Sequence, residues 1–242
     1  MSQLAQRAEL VKLSHLIGRD VVLDLDANEL RTLRTTLSAR LFDDARPVLQ
    51  RVATGSRLLP TGLVAKVGEA VFGATLCAQI AGLLPTNYAL DLALRMSDPF
   101  LAKVSAAIDP RSAGEVVLRI PANRIVAVAH EMLERDDYVT LARFVDFITD
   151  ETLAAVIASI PDELDLLRIG AYVESAAKLQ ELVGGLAIER TRRMLAAVTT
   201  AHPDRRLELL TISEQLDVAA RDRLADLATE IGVPDLANAI RG

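Results

Sequence analysis

One short segment places two potential metal ligands at a helical spacing. His130 and Glu134 lie four residues apart in "HEMLE", on one face of a helix, which superficially resembles the zinc-binding helix of metalloproteases. The second histidine of such a helix is missing, and neither His15 nor His202 stands at a zinc-ligand spacing from another His or Cys. We therefore interpret the pair as a solvated side-chain pair and expect no zinc site.

A second segment begins like a calcium-binding loop. In "DLDAN" the carboxylates alternate from Asp24, as the first ligands of an EF-hand do. The position that requires glycine for the sharp turn holds Glu29, and the position of the terminal glutamate holds Thr35. The match fails, so we expect no metal at this segment either.

The motifs of nucleophilic and phosphate chemistry are weak or absent from the sequence. Cys77 is the single cysteine, so no intramolecular disulfide can form and a reducing cytoplasm is the expected location. It stands in the apolar run "ATLCAQIAGLL", which is typical of a small core residue and not of a nucleophile. The sequence contains no P-loop, no G-x-G-x-x-G and no G-x-S-x-G motif. We expect a non-enzymatic protein with no catalytic residue and no cofactor.

Arginines form the one charged feature of the sequence that could bind a partner. Six of them stand between Arg31 and Arg57 against two aspartates, and "RTRRM" adds three more. A guanidinium binds phosphate or carboxylate through a planar fork, so these side chains are candidates for contact with an anion or an acidic partner. The alternative is that they form the solvated face of their helices. The candidate contact residues are Arg31, Arg34, Arg190, Arg192 and Arg193.

Short amphipathic helices are the elements that must position these residues. Between residues 109 and 133 two apolar rows follow the i, i+3, i+4, i+7 spacing of a helix face: Ala113, Val116, Val117 and Ile120, then Ile125, Val128, Ala129 and Met132. Asp109 and Pro110 suit a helix start, and Pro121 separates the two helices. Each helix has about ten residues, too few for stability alone in water.

The same arrangement recurs along the chain. Paired rows begin at positions 64 and 76, 89 and 101, 113 and 125, 141 and 153, and 166 and 179. The internal spacing of 12 or 13 and the advance of 24 to 28 residues indicate a repeated helix pair. Because such pairs bury their apolar faces only against neighbours, the pattern predicts an all-α fold, an α-solenoid or superhelical stack of short helix pairs with a period of about 25 residues. An irregular helical bundle is the alternative.

The ends of the chain differ from this middle part. We expect an N-terminal helical segment over residues 1–57 that caps the stack, five helix-pair repeats over 58–186, and a C-terminal helical cap over 187–242, in one continuous domain. "VVLDL" alternates as a strand does but has no partner strand nearby, so it is predicted to be an extended connector. A helix is predicted from about Ala27 onward, with Asp26 or Asn28 near its cap.

Composition limits the classes of partner. The chain is 51% hydrophobic but only 3% aromatic, and its net charge is −6 with a pI of about 5.2. An acidic surface with few aromatic rings disfavours nucleic acid and anionic membrane as whole-surface partners. The uncharged run Ala70–Leu90 is long enough to raise the question of a membrane span, but it contains Gln79, Pro85 and Asn87, so no span is expected. The first residues lack the basic and apolar regions of a secretory signal.

The alternation "LLPTNYALDLALRMSDPFLAKVSAAIDPRSAGEVVLRIPANRIVAVAHEML" resembles the superhelical N-terminal domain of the MgtE magnesium transporters. Flagellar switch proteins of the FliG type carry similar short-helix stacks. The resemblance covers roughly residues 59–186 and implies a stack of short helices. In the transporters this domain is cytoplasmic and regulates sensor domains and a membrane pore that this sequence does not contain. No metal-sensing acidic residue is carried across to this sequence.

Three functions arise as expectations. The first is a non-catalytic scaffold or regulatory module whose grooved face binds another protein or a second copy of itself. The second is the binding of a small hydrophobic ligand, which a continuous cavity lined by Val, Leu and Met would favour. The third is a regulatory domain linked to magnesium or ion transport, implied by the resemblance.

Overall fold

A computed structural model describes residues 3–17 and 20–242. Within these ranges the chain forms sixteen α-helices, a π-helical turn (Gly68–Phe72) and a 3₁₀ turn (Val145–Phe147), with no strand. The helices are α1 (Gln3–Ile17), α2 (Ala27–Ser56), α3 (Thr61–Val67), α4 (Gly73–Ala81), α5 (Thr86–Arg95), α6 (Asp98–Ala107), α7 (Pro110–Val117), α8 (Ala122–Leu133), α9 (Tyr138–Phe144), α10 (Asp150–Ser159), α11 (Glu163–Ala171), α12 (Ala176–Gly185), α13 (Ile188–Thr200), α14 (Pro203–Gln215), α15 (Val218–Glu230) and α16 (Pro234–Arg241). The predicted all-α class is confirmed.

Helices begin where the sequence supplies a capping side chain. Five residues that precede helices each accept a hydrogen bond from a backbone N–H of the following turn: Asp109, at the helix start predicted above, and Ser97, Asp137, Thr149 and Asp162. Such a bond satisfies one of the N–H groups that the first helical turn leaves without a partner. The short helices are therefore bounded by local chemistry that can be read along the chain.

The segment that resembles a calcium loop is a helix start. Asp26 Oδ1 accepts hydrogen bonds from the N–H groups of Asn28, at 2.7 Å, and Glu29, at 2.9 Å. The carboxylate of Glu29 accepts in return from the Asp26 N–H at 2.9 Å, which completes a capping box. Asp26 is thus the N-cap of α2, and residues 20–26 before it are neither helix nor strand, in agreement with the predicted connector.

Helices pack in sequential order, mostly on the next helix but one. One series of contacts runs from α2 through α4, α6 and α8 to α10, and another joins α3, α5 and α7 to the 3₁₀ turn. Contacts of α11 with α13, of α13 with α15, of α12 with α14 and of α14 with α16 continue this order. The arrangement is a stack of helices, in which each helix is covered by near neighbours in the sequence.

The first helix departs from this order. α1 packs on α2 and also on α6 and α9. Leu13 of α1 is fully buried, so this helix covers the side of several stacked helices at once. The predicted division into a cap, repeats and a second cap stays a prediction, although α2 does end at Ser56, next to the predicted boundary.

Among the described residues, one run, Thr61–Ala81, is long and apolar enough to cross a membrane by length and composition. Its backbone changes direction at Gly73, whose φ of 75° and ψ of 168° are incompatible with a continuous helix. The two halves pack on different partners, α3 on α5 and α4 on α6. The run therefore forms two elements of the stack, and the absence of a membrane span stays a prediction.

Candidate apolar binding channel

The apolar rows of the helix pairs face one continuous cavity. It encloses about 260 Å³ and is lined by residues from Val52 of α2 to Leu224 of α15; we refer to it as the apolar channel. The rows recognised in the sequence supply its walls in chain order: Ala89, Leu92, Ala93 and Met96; Leu101, Val104, Ser105 and Ile108; Ala113, Val116, Val117 and Ile120; Ile125, Val128, Ala129 and Met132; Leu141, Phe144, Val145 and Ile148; Leu153, Val156, Ile157 and Ile160; and Leu179, Leu182, Val183 and Leu186. The apolar rows that were expected to be buried against neighbouring helices thus surround a continuous space.

No described residue that lines the channel is charged, and few are polar. The hydroxyl of Ser56 donates to the Ala53 carbonyl at 2.9 Å, and that of Thr191 to the Ala187 carbonyl at 3.4 Å. Both of these hydroxyls are bound within their own chain segments, and Ser105 is the third hydroxyl residue in the wall. A molecule inside the channel meets mostly methyl and methylene groups, so the part of a ligand that enters must itself be largely apolar.

The channel extends past many helices. Its walls are contributed by fourteen successive helices, α2 to α15. The helices approach closely where glycine replaces a side chain: a Cβ built on Gly170 would lie 3.1 Å from Cδ1 of Ile212, with both residues in the channel wall. Several lining residues, among them Val116, Ile120 and Ile157, are only half-buried, so the channel opens to solvent along part of its length.

Cys77 is the one sulfhydryl group in the channel wall. It is half-buried, and burial, together with the nearby negative charge of Glu69, raises the pKa of its thiol to about 11. Because the thiolate is the reactive form, this environment makes Cys77 a poor nucleophile at neutral pH. Its position makes it a natural reporter of whatever occupies the channel.

Two of the arginines predicted to contact a partner, Arg31 and Arg34, lie against α1. Arg34 Nε donates to Glu9 at 2.9 Å, and Arg31 Nε lies 3.5 Å from the same carboxylate. Glu9 is only 1% exposed and is also paired at 3.1 Å with Lys12, which bonds in turn to Glu174 after α11. Burial alone raises the pKa of Glu9, but Lys12 and Arg34 outweigh it and hold that pKa below its usual value.

The other three predicted contact residues bind α13 to its neighbours. Arg190 donates to the carbonyl oxygens of Ile157, at 2.7 Å, and of Ile160, at the end of α10. Arg193 lies 2.7 Å from the carboxylate of Glu163. Arg192 pairs with Glu189 at 2.5 Å and with Glu230 of α15 at 2.8 Å.

All five candidate arginines therefore have partners inside the fold. Their guanidinium groups bind carboxylates and helix-end carbonyls of the chain itself, and none of the five lines the apolar channel. Contact with an external anion or acidic partner stays a prediction. The structure separates them into the pair on α2 and the trio on α13, and it gives each set a role in packing.

A polar cluster that the sequence did not indicate surrounds Tyr138. Its hydroxyl lies 2.7 Å from a carboxylate oxygen of both Asp136 and Asp165, and the Arg168 guanidinium stacks 3.7 Å from the ring centre. Burial and the two carboxylates raise the pKa of the Tyr138 hydroxyl. The cluster borders a second cavity of about 360 Å³. Its members lie up to 32 residues apart, at no motif spacing.

Metal ligands are not gathered in the part of the chain that the structure describes. Among the side chains that the structure describes, those of residues 6–17, 20–37 and 47–242, no group of three or more His, Cys, Asp or Glu is placed to hold a metal ion. His130 lies in α8 and Glu134 is the C-cap of that helix.

Comparisons of the chain with family models, with curated proteins and with solved structures found no match. The resemblance to the MgtE N-terminal domain therefore stays a prediction.

Proposed function

We propose that this protein binds a single long hydrocarbon chain in the apolar channel of an α-solenoid built from helix pairs of about 25 residues. The observation that carries the proposal is the continuity of an uncharged wall across rows from α2 to α15. Of the three functions expected from the sequence, the binding of a small hydrophobic ligand is the one that such a cavity favours. The proposal keeps the predictions of a non-enzymatic, cytoplasmic protein.

Packing energetics support an occupied channel. Protein interiors are packed like organic crystals and leave few voids larger than a water molecule. An unfilled apolar space of about 260 Å³ leaves its lining side chains without those packing contacts. A hydrocarbon chain in the channel restores the lost contacts without requiring a polar partner.

The uncharged wall of the channel favours a hydrocarbon chain over a docked helix. A helix of a soluble partner presents polar groups on part of its circumference, and burying them without hydrogen-bond partners is unfavourable. A partner protein or a second copy, the first expectation from the sequence, therefore suits the outer surface better than the channel. Regulation linked to magnesium or ion transport rests on the sequence resemblance alone.

Chain-length dependence of binding tests the proposal. Purified protein is incubated with saturated fatty acids from octanoate to stearate, and the melting temperature and the alkylation rate of Cys77 are measured. A ligand that binds only the folded state raises the melting temperature, so we expect a rise with the long chains and little with octanoate. We also expect the long chains to slow alkylation of Cys77, which lines the channel.

A pair of variants on α7 and its C-cap supplies the control. Val116→Phe places a larger side chain in the channel. Leu118→Phe also replaces an aliphatic side chain by phenylalanine, but at an exposed position outside the channel. We expect Val116→Phe to abolish both effects of the long chains and Leu118→Phe to retain them. If no chain length changes either measurement in the wild-type protein, hydrocarbon binding is wrong.

A further inference from the structure

One end of the stack exposes large apolar side chains to solvent. Leu58, Leu59, Leu63, Val71 and Phe72 lie within fifteen residues around α3 and the π-helical turn, and Leu58 and Val71 are 86% and 72% exposed. We call this set the 58–72 surface. Single exposed leucines are normal on a soluble protein, but consecutive exposed apolar residues on short elements mark an interaction site.

Basic side chains flank the 58–72 surface. Arg51, Arg57 and Lys66 are all exposed, and no carboxylate whose placement the structure describes pairs with them. Between residues 47 and 90 the only acidic residue is Glu69, whose carboxylate accepts hydrogen bonds from the N–H and hydroxyl of Ser97. Asp91 of α5 also reaches this surface, where it accepts a hydrogen bond from Thr61, but it is paired with Arg95 at 3.0 Å. In a protein of net charge −6, this region is locally positive.

The same region borders the apolar channel. Phe72 is 41% exposed and also lines the channel, and Val64 and Gly68 of the same segment are in the channel wall. The π-helical turn and the positive φ of Gly73 set this geometry, because they end α3 and redirect the chain into α4. The exposed apolar surface is therefore continuous with one end of the channel.

We propose that the 58–72 surface docks on an anionic phospholipid bilayer and sets the end of the channel against the membrane. Apolar side chains beside arginine and lysine are what an interfacial protein presents to lipid: the apolar groups enter the acyl boundary, and the cations bind the negative headgroups. A protein partner would require matching acidic and apolar groups, whereas an anionic bilayer supplies both over any area. The docking surface does not depend on what the channel holds.

Vesicle flotation tests this proposal on the full chain. The vesicles are phosphatidylcholine alone or an equal mixture of phosphatidylcholine and phosphatidylglycerol. We expect the protein to float with the mixed vesicles, to bind phosphatidylcholine alone much more weakly, and to be released in part by high salt, which screens the basic side chains. Failure to float with the mixed vesicles at low salt overturns the proposal.

Two variants separate the apolar and the charged contributions. Leu58→Asp/Leu63→Asp and Arg51→Glu/Arg57→Glu/Lys66→Glu change exposed side chains, so both should fold, which circular dichroism verifies. Each is expected to weaken binding to the mixed vesicles by at least about tenfold. Matched controls at other exposed positions, Leu207→Asp/Val218→Asp and Lys103→Glu/Arg111→Glu/Arg223→Glu, should bind as the wild type does. Equal losses in the controls overturn the assignment of the surface.

The outcomes distinguish membrane docking from self-association and from the proposed ligand. If the wild type is a dimer that Leu58→Asp/Leu63→Asp converts to a monomer, and the wild type does not float, a second copy covers the surface and the proposal is wrong. Val116→Phe, which fills the channel, is expected to float normally. Docking without chain-length effects on the melting temperature would therefore refute the proposed function and leave docking in place.

Discussion

At the residue scale, the channel thiol should titrate abnormally. The pKa of Cys77 is raised to about 11, against about 8.5 for a free thiol. Since only the thiolate reacts, we expect its rate of alkylation by iodoacetamide to increase about tenfold per pH unit through pH 8 to 10. In urea the alkylation rate of the same thiol should stop increasing once the pH exceeds the ordinary pKa of a thiol. An alkylation rate that reaches a plateau near pH 9 in the folded protein would contradict the environment described for Cys77.

Glu9 is the second residue whose behaviour the structure predicts. Removal of this buried carboxylate leaves Lys12 and Arg34 without their shared partner, so Glu9→Gln is expected to lower the free energy of unfolding by about 3 kcal/mol at pH 7. The folded-state pKa of Glu9 is lowered, so its stabilising effect is present above the unfolded-state pKa of about 4.3 and is lost as pH falls through the lower folded value.

Urea denaturation at pH 7, 4 and 3 measures this effect. The difference between wild type and Glu9→Gln should shrink from pH 7 to pH 3. Glu131→Gln is the control. It removes a more exposed ion pair between Glu131 of α8 and Arg135, which follows that helix, and should lower the free energy of unfolding by less than about 1 kcal/mol. A constant difference across the pH range would rule out the charged form of Glu9 as the source of stability.

At the scale of elements, arginines hold the ends of earlier helices. Arg124 of α8 donates to the Met96 carbonyl after α5, Arg143 of α9 to the Ile108 carbonyl after α6, and Arg190 of α13 to carbonyls at the end of α10. In each case a cation meets the carbonyl groups that a helix end leaves without partners. The shared geometry explains how short helices can end abruptly and still pack in order.

Neighbouring arginines in "RTRRM" should therefore differ in their effect on stability. Arg190→Ala removes two bonds to buried or half-buried carbonyls and is expected to cost about 2–3 kcal/mol. Arg192→Ala breaks pairs between exposed groups and should cost less than about 1 kcal/mol. Equilibrium unfolding in urea measures both. Equal losses would show that Arg190 acts only as a surface charge.

At the scale of the whole molecule, the uncharged channel is one property shared by many helices. Val156→Asp introduces a carboxylate into its wall, whereas Ala158→Asp places one at an exposed position of the same helix. An unpaired charge in apolar surroundings should cost about 3 kcal/mol or more, which lowers the melting temperature by roughly 10 °C in a protein of this length, while Ala158→Asp should change it little.

Hydrogen exchange followed by mass spectrometry shows how far that disturbance extends. Because each helix is covered by near neighbours, we expect Val156→Asp to increase exchange in α8 and α10 together, with less change in α16. Uniform exchange throughout the chain would instead indicate that the stack unfolds as a single cooperative unit.

The sequence by itself determined the helices, their capping residues and the apolar row on each one. Rows such as Leu101 to Ile108 and Leu153 to Ile160 could be recognised because the direction of a side chain on a helix depends on local spacing alone. The positions of Asp26, Ser97 and Thr149 as N-caps result from equally local hydrogen bonds. The all-α class of the fold could therefore be predicted from the sequence alone.

Only the tertiary structure decided what those rows face and what the arginines bind. Whether opposing rows touch or leave a channel depends on the separation of helices that come from different parts of the chain, and no local spacing contains that distance. Arg31 and Arg34 meet Glu9, and Arg190 meets Ile157, across more than twenty residues of sequence. Side-chain direction is a local property, whereas the partner at the end of a side chain is a property of the packed molecule.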